Sequence, residues 1–231
     1  SDPGAAVSVR GLQDFGRVNV TIDGARQNFQ KSGHNANGTF YFDTEMLRSV
    51  EVSRGPSLGV DGGGAIGGAV NFTTLDADDV LAAGETMALR LKATAETNAP
   101  SFLGHGEAAA RLSESVDVVA AATWRDAGDY SAGGGETITS AQDLLSGLAK
   151  ARIRPDDASD ITVSALHYDS SFDNALVDTA SSNAVSDTYT LNYRFTPGSD
   201  WADLTARTYY TATRFTHSNK ADPDERYGIG T

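Results

Sequence analysis

The chain has 231 residues, no cysteine and a formal net charge of -13, with 24 glycines and only 6 prolines. Without cysteine, neither a disulfide framework nor a thiolate metal site is available in these residues. The acidity argues against a nucleic-acid partner, because phosphate binding requires a basic surface. No apolar run approaches the ~20 residues of a membrane-spanning helix. The abundant glycine, threonine and alanine instead favour β-structure with many turns.

The glycine-rich first third of the chain predicts a compact mixed α/β unit. The apolar run Val18–Ile22 is bounded by glycine and indicates a short strand. Asp23-Gly24 follows it and predicts a tight turn, since glycine tolerates positive φ. Residues 44–49 predict a brief helix, with Asp43 or Thr44 as its N-cap and Glu45 in its first turn.

Beyond residue 85 the sequence alternates between apolar and polar residues with a period of two. For example, Tyr189, Leu191, Tyr193 and Phe195 alternate with Thr188, Thr190, Asn192 and Arg194. The alternation recurs in roughly seven segments of about ten residues, which is the length that a tilted strand needs to cross a bilayer. A soluble sandwich or solenoid shows the same alternation, so the pattern alone leaves both open.

The connections between these segments favour the membrane interpretation. Short polar links alternate with longer polar stretches at 126–142 and 169–187. Outer-membrane barrels have this asymmetry, with short periplasmic turns and long outer loops. Aromatic residues near the predicted strand ends, such as Trp124 and Tyr168, are candidates for an interfacial girdle.

Three ordered blocks in the first third resemble the plug of TonB-dependent outer-membrane receptors. They are residues 9–12 with 17–27 (VRGL and RVNVTIDGARQ), residues 47–57 (LRSVEVSRGPS) and residues 62–74 (GGGAIGGAVNFTT). The resemblance implies a mixed α/β plug domain followed by antiparallel strands of a transmembrane β-barrel. Residues 1–83 would be the C-terminal part of the plug, and residues 84–231 the first barrel strands. A plugged receptor barrel has about 22 strands, so we expect an incomplete barrel.

One segment is similar to a subset of that family, the haem and haemoglobin receptors. Residues 23–34 (DGARQNFQKSGH) lead into the aromatic stretch 38–43 (GTFYFD). The resemblance implies a plug loop that presents His34 to the extracellular side as an axial ligand of haem iron. Imidazole nitrogen and tyrosinate oxygen are both known haem ligands. Phe29, Phe40 and Tyr41 could pack on the porphyrin, while a single loop histidine can equally be an ordinary solvated residue.

Charged residues of the first third predict a structural network within the plug. Its members are Arg10, Asp23, Arg26, Glu51 and Arg54. Glu51 and Arg54, with Arg10, could form a buried ion network inside the barrel, and ordinary structural pairing is the alternative. Of the other histidines, His105 and His167 are predicted to line the lumen or a strand end, and His217 lies in a polar run that predicts a loop.

The resemblance implies an import receptor for haem, or for haem from haemoproteins, that is energised through TonB. Haem would be the transported ligand, and no cofactor would be permanently bound. The partners would be the TonB complex (through a segment outside this sequence), haem or a haem-carrying protein, and outer-membrane lipid in the bacterial outer membrane. A ferric-siderophore receptor of the same fold and a soluble β-rich binding or adhesin module are the alternatives. An enzyme is not predicted, because no catalytic constellation stands out.

Overall fold

In a computed structural model, the chain folds into two main β-sheets that pack against each other. The structure describes residues 2–12, 17–29, 38–56, 65–173, 180–198, 202–219 and 222–229. We call the elements up to residue 80 the N-terminal unit, and the eight-stranded sheet that follows the wall. Neither helix in the described part of the chain has the length and apolar character needed to span a membrane.

The N-terminal unit is built around a four-stranded sheet in the order β3-β2-β6-β5. The whole unit has six strands: β1 (Ala5–Ala6), β2 (Val18–Ile22), β3 (Ala25–Arg26), β4 (Thr39–Phe40), β5 (Leu47–Arg54) and β6 (Gly68–Thr74). Of these, β1 and β4 pair with each other in a separate two-stranded sheet. The β2 and β6 strands are parallel, whereas the β2–β3 and β5–β6 pairs are antiparallel. Because β2 and β6 lie in the middle of the sheet, their β-branched side chains form the core of the unit.

Local signals in the sequence set the turns and caps of this unit. Asp23 and Gly24 adopt φ values of 48° and 85°, as a tight turn between antiparallel strands requires. The predicted helix at residues 44–49 is shorter in the structure, a 3-10 turn at Thr44–Met46 followed directly by β5. Asp43 is its N-cap and accepts a hydrogen bond from the backbone N–H of Glu45. The other helix, α1 (Ala77–Val80), begins with a capping box formed by Asp76 and Asp79.

The wall is an antiparallel meander in which each strand pairs with its neighbour in the sequence. Its strands are β7 (Met87–Glu96), β8 (Ser101–Ser113), β9 (Val116–Ala127), β12 (Gln142–Asp156), β13 (Ser159–Asp173), β14 (Ala180–Phe195), β15 (Leu204–Asn219) and β16 (Asp222–Ile229). The connection between β9 and β12 contains a separate two-stranded hairpin of β10 (Tyr130–Ser131) and β11 (Thr137–Ile138). We call the end at which β9 ends and β12 begins the loop end of the wall, and the opposite end the turn end.

The two faces of the wall differ, as the alternation in the sequence predicts. The inward face packs on the N-terminal unit; on β12 it includes the buried residues Leu144, Leu148 and Lys150. The outward face carries exposed apolar residues such as Leu91, Trp124 and Tyr210. In the described residues the wall does not close into a barrel, because β7 and β16 are the two edges of the sheet.

The expected loop at 169–187 and the expected position of Tyr168 both differ from the structure. The stretch 169–187 was expected to be a loop, but β13 continues to Asp173 and β14 begins at Ala180. Its serine and asparagine residues pair through the backbone, which does not require an apolar side chain. Tyr168, expected in an outer girdle, is buried on the inward face instead. Trp124 does lie on the outward face, in ring contact with Phe102 at 5.6 Å.

Candidate functional site

An aromatic cluster joins the N-terminal unit to the wall near its loop end. Tyr41 is at its centre, with ring centroids 5.9 Å from Tyr168 on β13 and 6.2 Å from Phe215 on β15. Phe172 packs on Phe215 at 6.2 Å, and Phe29 lies 6.3 Å from Tyr41. The cluster therefore fixes the end of the N-terminal unit that lies at the loop end of the wall.

Tyr41 serves this cluster as a neutral phenol. Burial raises the pKa of its hydroxyl well above the ordinary value, and the nearby charge of Asp2 raises the pKa further. The hydroxyl lies 3.5 Å from an Asp2 carboxylate oxygen. The buried ring of Tyr41 and its contacts with Tyr168 and Phe215 give this residue a packing role in the cluster.

The predicted haem-site residues fall in different surroundings. Phe40 is only 2% exposed and packs on Phe72 at 5.2 Å, within the core of the N-terminal unit. Tyr41 is equally buried, whereas Phe29 is half-buried at the edge of the aromatic cluster. His34 lies outside the described residues. Phe29 precedes His34 in the sequence and Tyr41 follows it. The rings of Phe29 and Tyr41 are in contact at the same end of the N-terminal unit.

The ion pairs between the N-terminal unit and the wall all place the negative charge on the same side of the interface. In each such pair among the described residues, the N-terminal unit supplies the carboxylate and the wall supplies the cation. The pairs are Glu45–Lys92 at 2.7 Å, Asp78–Arg111 at 2.7 Å, Asp43–Arg125 at 3.9 Å, Asp23–Lys150 at 3.2 Å and Asp76–Lys150 at 3.3 Å. Asp43 also accepts a hydrogen bond from the Ser146 hydroxyl. The interface is thus held by electrostatic contacts as well as by apolar packing.

The predicted charge network is only partly assembled. Asp23 accepts hydrogen bonds from the backbone N–H and the hydroxyl of Thr74, and Arg26 donates to the side-chain oxygen of Asn19 at 2.8 Å. Arg10, Glu51 and Arg54 are exposed, and no ion pair joins them among the described residues. Glu51 and Arg54 both lie on β5, an edge strand in which residues 48–54 are exposed on both faces, and their pairing inside a complete barrel stays a prediction.

The most deeply buried cation of the interface was not singled out from the sequence. Lys150 has a side chain only 4% exposed and contacts Asp23, Asp76 and the carbonyl oxygen of Thr74. The available signal was a lysine at an inward position of β12. Its partners lie far away in the sequence, so no local pattern connects them.

The histidines of the wall have polar partners. His105 is buried on the inward face as predicted, between the Thr123 hydroxyl at 2.8 Å and Glu107 at 3.1 Å. The prediction for His167 was wrong, since it alternates with inward residues, faces outward and pairs with Asp187 at 2.7 Å. His217 was expected in a loop but lies within β15, because backbone pairing with β14 continues past the apolar part of the strand.

A cavity of about 700 Å³ lies between the N-terminal unit and the wall towards the turn end. We call it the charged cleft. Its lining includes Asp23, Arg48, Asp76, Lys150, Arg152 and Arg207. Within the described residues, no group of three or more histidines and carboxylates is arranged to hold a metal ion. The full lining carries five acidic side chains (Asp23, Glu51, Asp76, Asp160 and Asp203) and five basic ones (Arg48, Lys150, Arg152, Arg194 and Arg207), so it offers ion-pair and hydrogen-bond partners of both signs.

Comparison with known proteins identifies most of the N-terminal unit. Residues 1–69 match the TonB-dependent receptor plug domain. The wall is the antiparallel sheet that accompanies this domain in solved receptor structures. The chain belongs to the TonB-dependent receptors. This is a family of transport receptors rather than of enzymes.

A hemin receptor and a hemophore receptor are similar to almost the whole chain. A hemin receptor of Yersinia enterocolitica is 30% identical over 233 residues, which is 96% of this chain and 33% of the relative. A double mutant of the Serratia marcescens hemophore receptor HasR, solved with its hemophore HasA and heme, is 33% identical with a TM-score of 0.85. That match covers 94% of this chain and 33% of HasR. The chain therefore spans about a third of the length of these relatives.

A shorter match is closer in sequence. A hemophilin receptor of Acinetobacter baumannii is 41% identical over 93 residues, which is 39% of this chain and 9% of that receptor. The FrpB iron transporter of Neisseria meningitidis has a TM-score of 0.78 at 21% identity. That match covers 92% of this chain and 36% of FrpB. At that identity the likeness to FrpB shows the fold alone.

Proposed function

We propose that this chain is part of an outer-membrane receptor that imports haem, or haem delivered by a carrier protein. The observation that carries the proposal is the similarity to haem-related receptors along nearly the full chain. The hemin receptor of Y. enterocolitica and HasR are 30% and 33% identical to it. Solved siderophore receptors of the same fold, PiuA of A. baumannii and PfeA of Pseudomonas aeruginosa, are only 13% and 16% identical.

The proposal assigns a place to each part of the chain. Residues 1–83 are the C-terminal part of the plug, and residues 84–231 are the first strands of the transmembrane barrel. The exposed apolar side chains on the outward face of the wall support contact with outer-membrane lipid. In this proposal the TonB complex acts through a segment of the receptor outside these residues and supplies the energy for import.

The proposed haem site lies at the loop end, with His34 as an axial ligand. In support, Phe29 and Tyr41 anchor both sides of the segment that contains His34 to the aromatic cluster. Phe29 is the aromatic residue of the three with a partly open ring, so it is the best placed to meet a porphyrin face. Phe40 and Tyr41 support that surface from beneath. Haem is the cargo here and no permanently bound cofactor is proposed.

Growth on haemin tests this function in cells. The full-length receptor is expressed in a bacterial strain that lacks its own haem and siderophore receptors, with haemin as the only iron source. We expect growth that requires the receptor and is lost in the matched strain without functional TonB. Growth on ferric siderophores but not on haemin would reject the haem proposal and favour a siderophore receptor of the same fold.

A further inference from the structure

Lys150 occupies an unusual position for a lysine. It lies in the middle of β12, between the register partners Val119 on β9 and Ser164 on β13, and its side chain is 4% exposed. A buried ammonium group is stable only when charged and polar partners replace the water it has lost. The partners of Lys150 therefore show which groups stabilise its charge in the interior.

All three partners of Lys150 belong to the N-terminal unit. The ammonium nitrogen is 3.2 Å from Asp23 Oδ2, 3.3 Å from Asp76 Oδ1 and 3.1 Å from the carbonyl oxygen of Thr74. Asp23 lies in the turn after β2, Thr74 ends β6, and Asp76 precedes α1. One wall residue thus contacts three residues at the same end of the four-stranded sheet of the N-terminal unit.

Neighbouring strands hold the same turn. The side-chain amide of Asn192 on β14 donates to the carbonyl oxygen of Asp23 at 3.0 Å. At Gly24, where φ is +85°, a Cβ atom would lie 3.2 Å from Cδ of Arg207 on β15. The Asp23-Gly24 turn is therefore packed closely against β12, β14 and β15, with Lys150 as its charged contact.

This turn also forms one side of the charged cleft. Asp23, Gly24, Asp76 and Lys150 all line the cleft, together with Arg152 and other charged residues. If the turn moves away from β12, the cleft gains the space that the turn occupied. Its lining, which carries both acidic and basic side chains, can then exchange one ion-pair partner for another with a charged or polar cargo.

We propose that Lys150 is a latch that closes the charged cleft. While Lys150 holds Asp23 and Asp76, the plug sheet stays against β12. When these contacts break, the cleft opens into a passage along β12–β15. The cargo of this passage rests on the proposed import function, whereas the latch itself does not depend on which cargo is carried.

A second ion pair provides a matched control. Lys92 on β7 also joins the wall to the N-terminal unit, through Glu45 at 2.7 Å, but its side chain is 53% exposed. Exposed ion pairs contribute little, because water screens them. Lys92→Met and Lys150→Met therefore remove the same chemical group from the same interface, and only the second removes a buried contact.

Passive entry of a large antibiotic tests the latch without any cargo. In cells that express the full-length receptor, we expect Lys150→Met to raise sensitivity to vancomycin by about tenfold, while Lys92→Met leaves it unchanged. Asp23→Asn combined with Lys150→Met removes the unpaired charge of Asp23 and restores stability to proteases, yet it remains sensitive. Equal sensitivity of Lys150→Met and Lys92→Met overturns the proposal, as does normal resistance in the double variant.

Cross-linking tests the passage. The 231 residues contain no cysteine, so Asp23→Cys and Lys150→Cys introduce the only thiols of this segment. Joining the two with dibromobimane should leave haemin binding unchanged and lower haemin uptake at least about tenfold relative to the same double-cysteine receptor without the reagent. Uptake at the wild-type rate by the cross-linked receptor overturns the passage. A receptor that binds no haemin in any form contradicts the proposed function instead, and antibiotic entry still decides on the latch.

Discussion

Tyr41 links the plug to the wall through its ring, and its hydroxyl gives this contact a pH dependence. Burial, and then the charge of Asp2, raise the pKa of the hydroxyl above the ordinary 10.0. The folded protein therefore keeps the phenol neutral at pH values at which the unfolded chain ionises it. The stability that follows from this difference is complete below pH 10.0 and is lost progressively at higher pH.

We expect Tyr41→Phe to reduce the alkaline sensitivity of the plug. Between about pH 9 and about pH 11, cleavage within the N-terminal unit by proteinase K should accelerate more in the wild-type receptor than in Tyr41→Phe. Tyr130→Phe is the control, because Tyr130 is exposed on the β10–β11 hairpin. Identical pH profiles for the wild-type receptor and Tyr41→Phe would show that Tyr41 does not couple docking to pH.

Individual residues could be predicted from the sequence where their role is local. The positive φ of Gly24 and the Asp43 cap depend on neighbouring residues; the first was predicted from them, and Asp43 was one of two predicted N-cap candidates. The Lys150 contacts could not be predicted, because they join β12 to groups near the start of the chain. His34 stays a prediction, since it lies outside the described residues.

At the scale of elements, β6 depends on a residue with no side chain. Gly68 begins this strand with φ of +143°, and it pairs with Val18 on β2 and with Arg54 on β5. A Cβ atom there would lie 2.1 Å from the carbonyl oxygen of Ser53. Such a contact is impossible without moving β5 away from β6.

We expect Gly68→Ala to destabilise the plug by about 1–3 kcal/mol or more, because strain is added to a steric clash with the backbone. Limited proteolysis of the N-terminal unit in the purified receptor measures this loss. Gly133→Ala is the matched control, since no atom lies within 4 Å of a Cβ at that glycine. Equal protease resistance of the two variants would contradict the close β5–β6 approach.

The elements of the wall were predicted better in their core than at their ends. Period-two alternation identified the antiparallel strands, but it ended where the side chains became polar. Residues such as Ser170, Ser182 and Asn183 still lie in strands, because β13 and β14 pair through their backbones up to Asp173 and Ser181. Pairing between strands is a non-local property, so a single polar segment does not reveal it.

At the scale of the whole molecule, the proposed contact with membrane lipid depends on the exposed apolar side chains of the outward face of the wall. Leu91 is 78% exposed in the middle of β7. An arginine on a lipid-facing position costs about 2–4 kcal/mol at the bilayer midplane and about 0–1 kcal/mol near the interface. We expect Leu91→Arg to reduce the amount of assembled receptor in the outer-membrane fraction, and Thr97→Arg, in the turn after β7, to leave it unchanged. Equal amounts of both variants would contradict lipid contact at Leu91.

In the proposed function, the complete receptor binds haem at the loop end of the wall. The most direct measurement is the visible absorption of the full-length receptor in detergent during titration with haemin, beside its His34→Ala variant. We predict a saturable shift of the Soret band that weakens in the variant, because imidazole ligation to ferric iron changes this band. A flat titration in the wild-type receptor would contradict haem binding, and an identical shift in both proteins would contradict ligation by His34.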